Sequence, residues 1–170
     1  MNLILCGMMG SGKTTLGIKI AELTGRRWYD TDVVIVDRHG KISDIFEYYG
    51  EAHFRKLETK IVQELSQKDD LVISTGGGLV LKSENNELLQ KNGKIIFLRA
   101  SLDTLASRLQ VDGTRPLLEN STEGIKQRLA QLLQERSPVY ESVADYVIDV
   151  DNKSVESLAN EIISLIQINK

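Results

Sequence analysis

The sequence contains few of the residues that stabilise secreted or fibrous proteins: one cysteine, two prolines and one tryptophan among 170 residues. A single cysteine cannot form a disulfide within the chain, and Cys6 lies inside an apolar run. We therefore expect a buried thiol in a reducing compartment. No stretch approaches the ~20 apolar residues that span a bilayer, and the first residues lack the pattern of a signal peptide. These absences predict a cytoplasmic protein that does not act at a membrane.

The charge of the chain is nearly balanced, with 21 lysines and arginines against 24 aspartates and glutamates and a net charge of −3. This balance excludes a broad basic surface for nucleic acid, so a site for an anionic ligand has to be a local group of arginines. The length fits one domain, residues 1–170, and no linker or internal repeat divides it. Because no heptad pattern or long apolar edge requires a partner, we expect a monomer.

Short apolar runs alternate with longer amphipathic stretches along the chain, which predicts an α/β fold with a parallel sheet between layers of helices. The predicted strands are Leu3–Cys6, Trp28–Tyr29, Leu71–Ser74, Lys94–Leu98 and Tyr146–Val150. The clearest helix follows Ser154, a candidate N-cap, and has an apolar stripe at helical spacing. One stretch, about 110–122, contains a glycine, a proline and no steady period. A loop of this length in a compact domain is usually functional.

A phosphate-binding loop follows the first predicted strand. The run Gly7-Met-Met-Gly-Ser-Gly-Lys-Thr14 matches the pattern G-x-x-x-x-G-K-[ST] between an apolar strand and a helix, and it predicts binding of ATP or GTP. Its glycines allow backbone N–H groups to approach a phosphate, Lys13 adds a positive charge for the outer phosphates, and Thr14 is placed to coordinate Mg²⁺. The nucleotide-binding residues predicted in this loop are Gly10, Ser11, Gly12, Lys13, Thr14 and Thr15.

Two carboxylates follow the second predicted strand. Asp30 and Asp32 stand two apart, and in an extended segment such residues share a face, so both are expected to point into one site at the carboxyl end of the sheet. One of them could hold Mg²⁺ and the other could orient or deprotonate an acceptor hydroxyl. The alternative is that either aspartate caps the next helix, and the two roles are compatible.

Three consecutive glycines, Gly76, Gly77 and Gly78, follow the third predicted strand and would offer a ribbon of exposed N–H groups to a small anionic or hydroxylated ligand. The alternative is a plain flexible turn. Arginines are the predicted anion ligands, because their planar fork binds carboxylate and phosphate, although most arginines are solvated surface groups. The candidates are Arg55, Arg136 and, in the irregular stretch that could close over the γ-phosphate, Arg115. Together these residues predict ATP- and Mg²⁺-dependent transfer to a small anionic acceptor without naming it.

With these motifs in order, the chain resembles the shikimate kinases from Gly7 to about Lys153. The motifs that carry the resemblance are Gly-Met-Met-Gly-Ser-Gly-Lys-Thr-Thr at 7–15, Asp-Thr-Asp at 30–32, Phe54-Arg55, Gly-Gly-Gly at 76–78, Arg-Pro-Leu-Leu at 115–118, and Arg136 followed by Tyr140. The resemblance implies a P-loop kinase of the nucleoside-monophosphate-kinase type, with a central five-stranded parallel sheet and a mobile lid at about 110–122. It also implies phosphorylation of the 3-hydroxyl of shikimate by ATP, in the pathway to aromatic amino acids.

The resemblance further implies a role for each matched residue. Lys13 and Arg115 would bind phosphates, and Thr14 would hold Mg²⁺ with Asp30 nearby, through water. Asp32 would contact the shikimate hydroxyls as base or orienting group. The residues implied to bind shikimate are Asp32, Arg55, Arg136 and the backbone of Gly76, Gly77 and Gly78, beside a helical region at about 31–60. Arg108 and Lys153 would border the adenine. Another small-metabolite kinase, such as a gluconate or nucleoside-monophosphate kinase, and an inactive nucleotide-binding regulator remain the alternatives.

Overall fold

The computed structural model describes the backbone of residues 1–112 and 122–168 and the side chains of residues 1–109 and 124–167. The strands are β1 (Asn2–Cys6), β2 (Arg27–Asp30), β3 (Leu71–Ser74), β4 (Gly93–Arg99) and β5 (Tyr146–Asp149). The helices are α1 (Lys13–Thr24), α2 (Thr31–His39), α3 (Ile42–Tyr49), α4 (Glu51–Leu65), α5 (Ser83–Gln90), α6 (Leu102–Asp112), α7 (Thr122–Val143) and α8 (Val155–Ile168). A short 3-10 turn covers Leu79–Leu81.

The five strands form one parallel sheet in the order β2-β3-β1-β4-β5, which confirms the predicted fold class. Every residue of β1 and β3 is buried, as expected for inner strands of a parallel sheet with helices on both faces. Strands β2 and β4 are longer than the apolar runs from which they were predicted. The last residue of β4, Arg99, pairs in register with Asp149 of β5, because backbone pairing continues where the side chains turn polar.

The helices complete a three-layer arrangement around this sheet. Helix α1 packs on β3 and against α8, while α5 and α7 pack on β4. The predicted start of α8 is confirmed, because the Ser157 N–H donates to the Ser154 side-chain oxygen at 3.1 Å. Leu158, Ala159 and Ile162 then place the apolar stripe of α8 in the core. Within the described ranges, no helix is both long and apolar enough to cross a membrane.

Both ends of the stretch expected to be irregular, 110–122, are helical in the structure. Helix α6 continues to Asp112 and α7 begins at Thr122, because the helical hydrogen bonds extend beyond the last residues that show a clear apolar period. The remaining segment, 113–121, lies outside the described residues, and Arg115 lies within it. The assignment of a lid to this stretch therefore stays a prediction.

The strand register gathers the predicted site residues at one edge of the sheet. Ser74 lies at the end of β3 and is in register with Leu5 of β1 on one side and Asp30 of β2 on the other. The segments that follow these three strands therefore emerge together. Such an edge, at the carboxyl ends of parallel strands, is where ligands bind in open α/β sheets.

Candidate active site

The phosphate-binding loop connects β1 to α1 in a conformation that requires glycine. Gly7 and Gly12 have φ angles of +142° and +94°. A Cβ on Gly7 would lie 2.7 Å from the carbonyl oxygen of Leu98, so a side chain there would clash with β4. Gly12 is the N-cap of α1, and within the described residues no side chain caps this helix by a hydrogen bond. The first N–H groups of α1 are thus oriented as in an anion-binding helix terminus.

The side chain of Lys13 folds back over this loop. Its ammonium donates to the carbonyl oxygens of Gly7 at 2.9 Å and Met8 at 2.7 Å. Arg108 reaches the same loop from α6 and donates to the carbonyl oxygen of Gly10 at 3.0 Å. Two cations therefore flank the backbone that is predicted to hold phosphates, and the assignment of Arg108 to the adenine stays a prediction.

Asp30 links the phosphate-binding loop to the start of α2. Its Oδ2 accepts a hydrogen bond from the Thr14 hydroxyl at 2.8 Å, while its Oδ1 accepts from the backbone N–H groups of Asp32 and Val33. The capping role and the position beside Thr14 therefore coexist, one on each carboxylate oxygen. A hydroxyl and a carboxylate in contact are hard oxygen donors of the kind Mg²⁺ binds together with phosphates and water. In the described part of the chain, no group of three or more His, Cys, Asp or Glu side chains forms a metal site.

Asp32 lies in the first turn of α2 and not in an extended segment as expected. The difference has a local cause: the Asp30 cap starts the helix at Thr31, one residue after the strand ends. The face-sharing argument for residues two apart in a strand therefore does not apply. Asp32 instead lies against the triple glycine, and a Cβ on Gly76 would be 2.5 Å from its Oδ1.

The triple glycine is held rigidly and is not a plain flexible turn. The Gly76 N–H donates to the buried Thr31 hydroxyl at 2.9 Å, so this amide is not exposed as expected. The carbonyl oxygens of Gly76 and Gly78 accept from the N–H groups that begin and end the 3-10 turn. The Gly77 carbonyl oxygen accepts from the phenol of Tyr140 at 2.6 Å.

The absence of side chains at the triple glycine lets three helices approach its backbone. A Cβ on Gly76 would meet Asp32 of α2, and a Cβ on Gly78 would lie 2.6 Å from both terminal nitrogens of Arg55 of α4. A Cβ on Gly77 would lie 3.4 Å from Nη1 of Arg136 of α7. The three residues predicted to bind the acceptor therefore converge on three consecutive glycines.

Arg55 is held by two carboxylates on its own helix, neither of which was predicted as a site residue. Its guanidinium donates to Glu51 at 3.0 Å and to Glu58 at 2.8 Å. Glu58 is only 1% exposed, and among the described residues its Oε1 has no hydrogen-bond partner. Burial raises the pKa of Glu58 to about 7, Arg55 opposes this shift, and the charge of Asp32 adds to it.

Sequence reasoning could have found Glu58, because Arg55 and Glu58 have the i,i+3 spacing of an ion pair on a helix. Thr31 and Tyr140 could not have been found from sequence spacing in this way. Nothing local in the sequence links either of them to the triple glycine, since Tyr140 and Gly77 are 63 residues apart. The structure alone brings them together.

Arg108 and Lys153, the two residues expected near the adenine, lie in neighbouring segments, but their side chains contact different partners. Lys153 follows β5 and pairs with Glu161 of α8 at 2.8 Å. In the same turn, burial tends to raise the pKa of Asp151, but hydrogen bonds from Thr104 and Ser101 and the charge of Arg108 lower it overall. Lys153 thus belongs to a turn near Arg108, while its own ammonium is directed to α8. Its assignment to the adenine stays a prediction.

Comparison with known proteins agrees with this arrangement. The family model described as shikimate kinase matches residues 9–167. The shikimate kinase of Histophilus somni is 42% identical over 166 residues, which cover 97% of this chain and 94% of that protein. The shikimate kinase of Nitrosococcus oceani is 44% identical over 163 residues, which cover 95% of this chain and 85% of that protein.

Solved structures show the same relationship in three dimensions. The shikimate kinase of Acinetobacter baumannii in complex with shikimate superposes with a TM-score of 0.92 at 39% identity, covering 99% of this chain and 94% of that one. The shikimate kinase of Aquifex aeolicus gives a TM-score of 0.84 at 33% identity, with 99% and 98% covered. The resemblance stated from the motifs is confirmed, and the chain belongs to the shikimate kinase family.

Proposed function

We propose that this protein transfers the γ-phosphoryl group of ATP to the 3-hydroxyl of shikimate. One observation carries the proposal: a carboxylate and two arginines, Asp32, Arg55 and Arg136, converge on the triple glycine. Shikimate carries one carboxylate and several hydroxyls, which match two guanidinium forks and one hydrogen-bond acceptor. The strand register brings the triple glycine and the phosphate-binding loop to the same edge of the sheet, which supports the proposal.

The nucleotide half of the reaction rests on the loop and on α1. Backbone N–H groups at the α1 terminus would bind phosphate oxygens, and Lys13 would move from the loop carbonyls to the outer phosphates. Arg108 would border the nucleotide, and Arg115 would supply a further cation. Thr14 and Asp30 fit a magnesium ion, since their oxygens are in contact and of the preferred type. Held by Thr14 and Asp30, Mg²⁺ would neutralise negative charge on the phosphates.

The acceptor half would be organised by the three converging side chains. Arg55 and Arg136 would bind the carboxylate, which fixes the ring of the acceptor. Asp32 would then accept a hydrogen bond from the attacking hydroxyl and take its proton as the new O–P bond forms. The triple glycine would contribute backbone N–H groups. Closure of the segment at about 110–122 would exclude water, which would otherwise compete as acceptor.

The test is ADP release by the purified protein with Mg-ATP, comparing shikimate, gluconate and a panel of nucleoside monophosphates. Turnover that depends on shikimate supports the proposal. Turnover with gluconate or a nucleotide instead would keep the kinase and overturn the acceptor pocket. ATP binding without turnover on any acceptor would indicate a nucleotide-binding regulator. Lys13→Ala is the matched control, because it should abolish turnover with every acceptor.

We also propose that the protein works in the cytoplasm as a monomer with a single domain. The helical region at about 31–60 would form the acceptor side, and 110–122 would form the lid. Light scattering of the purified protein at micromolar concentration tests the oligomeric state. A mass twice that of the 19.0 kDa chain would contradict the monomer.

A further inference from the structure

Tyr140 occupies a position that the proposed chemistry does not use directly. It is fully buried in α7, and its ring packs against Phe97 of β4 with centroids 5.1 Å apart. Its hydroxyl donates to the Gly77 carbonyl oxygen at 2.6 Å. The Met8 sulfur, 3.8 Å away, is a second and weaker acceptor, so the carbonyl oxygen is the main partner of the phenol proton. The phenol therefore fixes one peptide of the triple glycine.

Fixing the Gly77 carbonyl also fixes the next amide. The Gly77 carbonyl and the Gly78 N–H belong to one trans peptide plane, in which they point in opposite directions. With the carbonyl held by Tyr140, the Gly78 N–H has to point away from α7. At the first glycine of the run, the Thr31 hydroxyl of α2 accepts a hydrogen bond from the Gly76 N–H and so fixes that amide. Without these two side chains, glycine peptides would rotate easily, because no Cβ restricts them.

The same phenol also engages Arg136, one helical turn earlier in α7. The Arg136 guanidinium and the Tyr140 hydroxyl both lie against Gly77, since a Cβ there would be 3.4 Å from Nη1 of Arg136 and 3.8 Å from the phenol oxygen. Burial raises the pKa of Tyr140 to about 12, so the hydroxyl keeps its proton at every pH where the enzyme works. One neutral hydroxyl can thus accept from the arginine and donate to the glycine carbonyl at once.

We propose that Tyr140 is a positioning residue for the acceptor, which aligns the Arg136 guanidinium and the Gly77–Gly78 peptide through one phenol oxygen. This inference rests on the proposed function, because Arg136 and the triple glycine are taken to bind the shikimate carboxylate and ring. It assigns no bond to the phosphoryl group. The phenol acts before chemistry, by holding two acceptor ligands in the geometry that the substrate meets.

The test variant is Tyr140→Phe, which keeps the ring against Phe97 and removes only the hydroxyl. We expect the KM for shikimate to rise about three- to tenfold, the factor that one hydrogen bond supports. The KM for ATP should change by less than about twofold, because the phosphate-binding loop loses its weak contact to the phenol through the Met8 sulfur but keeps its hydrogen bonds from Lys13 and Arg108. The thermal midpoint should also fall, since a buried carbonyl loses its partner.

A purely structural role for Tyr140 has to be distinguished from positioning. Ile148→Val on β5 is the control, because it shortens a buried side chain of similar depth and lowers stability without touching the triple glycine. A second readout is the affinity ratio between shikimate and its uncharged methyl ester. If Tyr140→Phe misaligns Arg136, the preference for shikimate over its methyl ester should become smaller. A general loss of stability, as in Ile148→Val, should leave this preference unchanged.

Two results would overturn the inference. One is an unchanged KM for shikimate and an unchanged affinity ratio in a folded Tyr140→Phe protein. The other is an equal rise in KM for shikimate and for ATP, which would indicate a general loss of structure. Failure of the proposed function is a separate outcome, since the unmodified protein would then show no binding and no turnover of shikimate at all.

Discussion

The buried carboxyl of Glu58 allows a sharp test of the electrostatics of the acceptor pocket. Glu58 is almost completely inaccessible to solvent, and burial raises its pKa to about 7 despite a guanidinium 2.8 Å away. The perturbation is Glu58→Gln, which keeps the shape of the side chain and removes the titrating group. Arg55 retains its second carboxylate, Glu51, in the variant. The substitution removes the proton linkage of residue 58 together with the negative charge that faces Arg55 when Glu58 is ionised.

The pH dependence follows from proton binding in the two states. In the unfolded chain the Glu58 carboxyl titrates near 4.5, and in the folded protein it titrates near 7. Between these values the folded state binds the extra proton, so the free energy of unfolding falls as the pH rises. The contribution is fully present below pH 4.5 and is lost above pH 7. At about 1.4 kcal/mol for each pH unit of the shift, the loss is about 3 kcal/mol.

The assay is urea unfolding at pH 5, 6, 7 and 8 at constant ionic strength, followed by circular dichroism and tryptophan fluorescence. The stability of the unmodified protein relative to Glu58→Gln should fall by about 2–3 kcal/mol from pH 5 to pH 8, since a small part of the loss already occurs below pH 5. Glu64→Gln is the matched control, since Glu64 lies on the same helix and pairs with Arg38 at an exposed site. The difference in the free energy of unfolding between the unmodified protein and Glu64→Gln should change by no more than about 0.5 kcal/mol over the same pH range.

Two outcomes would refute this reasoning. Parallel stability curves for the unmodified protein and Glu58→Gln would mean that Glu58 does not titrate between pH 5 and 8. A difference that grows between pH 3 and pH 5, measured in the same way at acid pH, would mean that Arg55 outweighs burial and lowers the pKa of Glu58. The second outcome would make the Arg55–Glu58 pair a permanent ion pair.

Three further substitutions test other parts of the site. Asp32→Asn should lower kcat by about 10²- to 10⁴-fold with little change in the dissociation constant of ATP, and lost ATP binding would contradict its assignment to the acceptor. Arg136→Ala should raise the KM for shikimate about 10- to 100-fold, so an unchanged value would remove it from the pocket. Gly17→Ala would place a Cβ 2.5 Å from the Ser74 hydroxyl and 2.6 Å from the Trp28 indole nitrogen. It should destabilise the fold by about 1–3 kcal/mol and shift the fluorescence of the single tryptophan, measured during thermal unfolding.

The sheet and the phosphate-binding loop could be predicted from the sequence because their determinants are local. Each strand is a short apolar run next to a turn or a glycine, and the loop motif sets its own conformation through the positive φ angles of glycines such as Gly7 and Gly12. The contacts of Lys13 illustrate the point, since its acceptors Gly7 and Met8 lie within six residues of it.

The arrangement of the acceptor residues could be predicted only in outline. Position after a strand correctly placed Asp32 near the triple glycine, but it could not show that the Asp30 cap starts a helix before Asp32 is reached. The glycine ribbon was expected to expose all its amides, whereas Thr31 uses the first of them. The sequence around Thr31 does not predict the partner of its buried hydroxyl, because tertiary packing decides which backbone group lies next to it.

This contrast implies that the two halves of the site depend differently on the packing of the domain. The phosphate-binding loop keeps the Lys13 contacts as long as β1 and α1 remain joined, because donor and acceptors belong to one short segment. The acceptor pocket exists only where α2, α4 and α7 each place one side chain against the triple glycine of another segment. A local opening of any one of these helices would remove one of the proposed acceptor ligands, while the contacts of Lys13 within the loop stay in place. On the proposed assignment, movement of a helix would therefore weaken acceptor binding without breaking the contacts of Lys13 in the phosphate-binding loop.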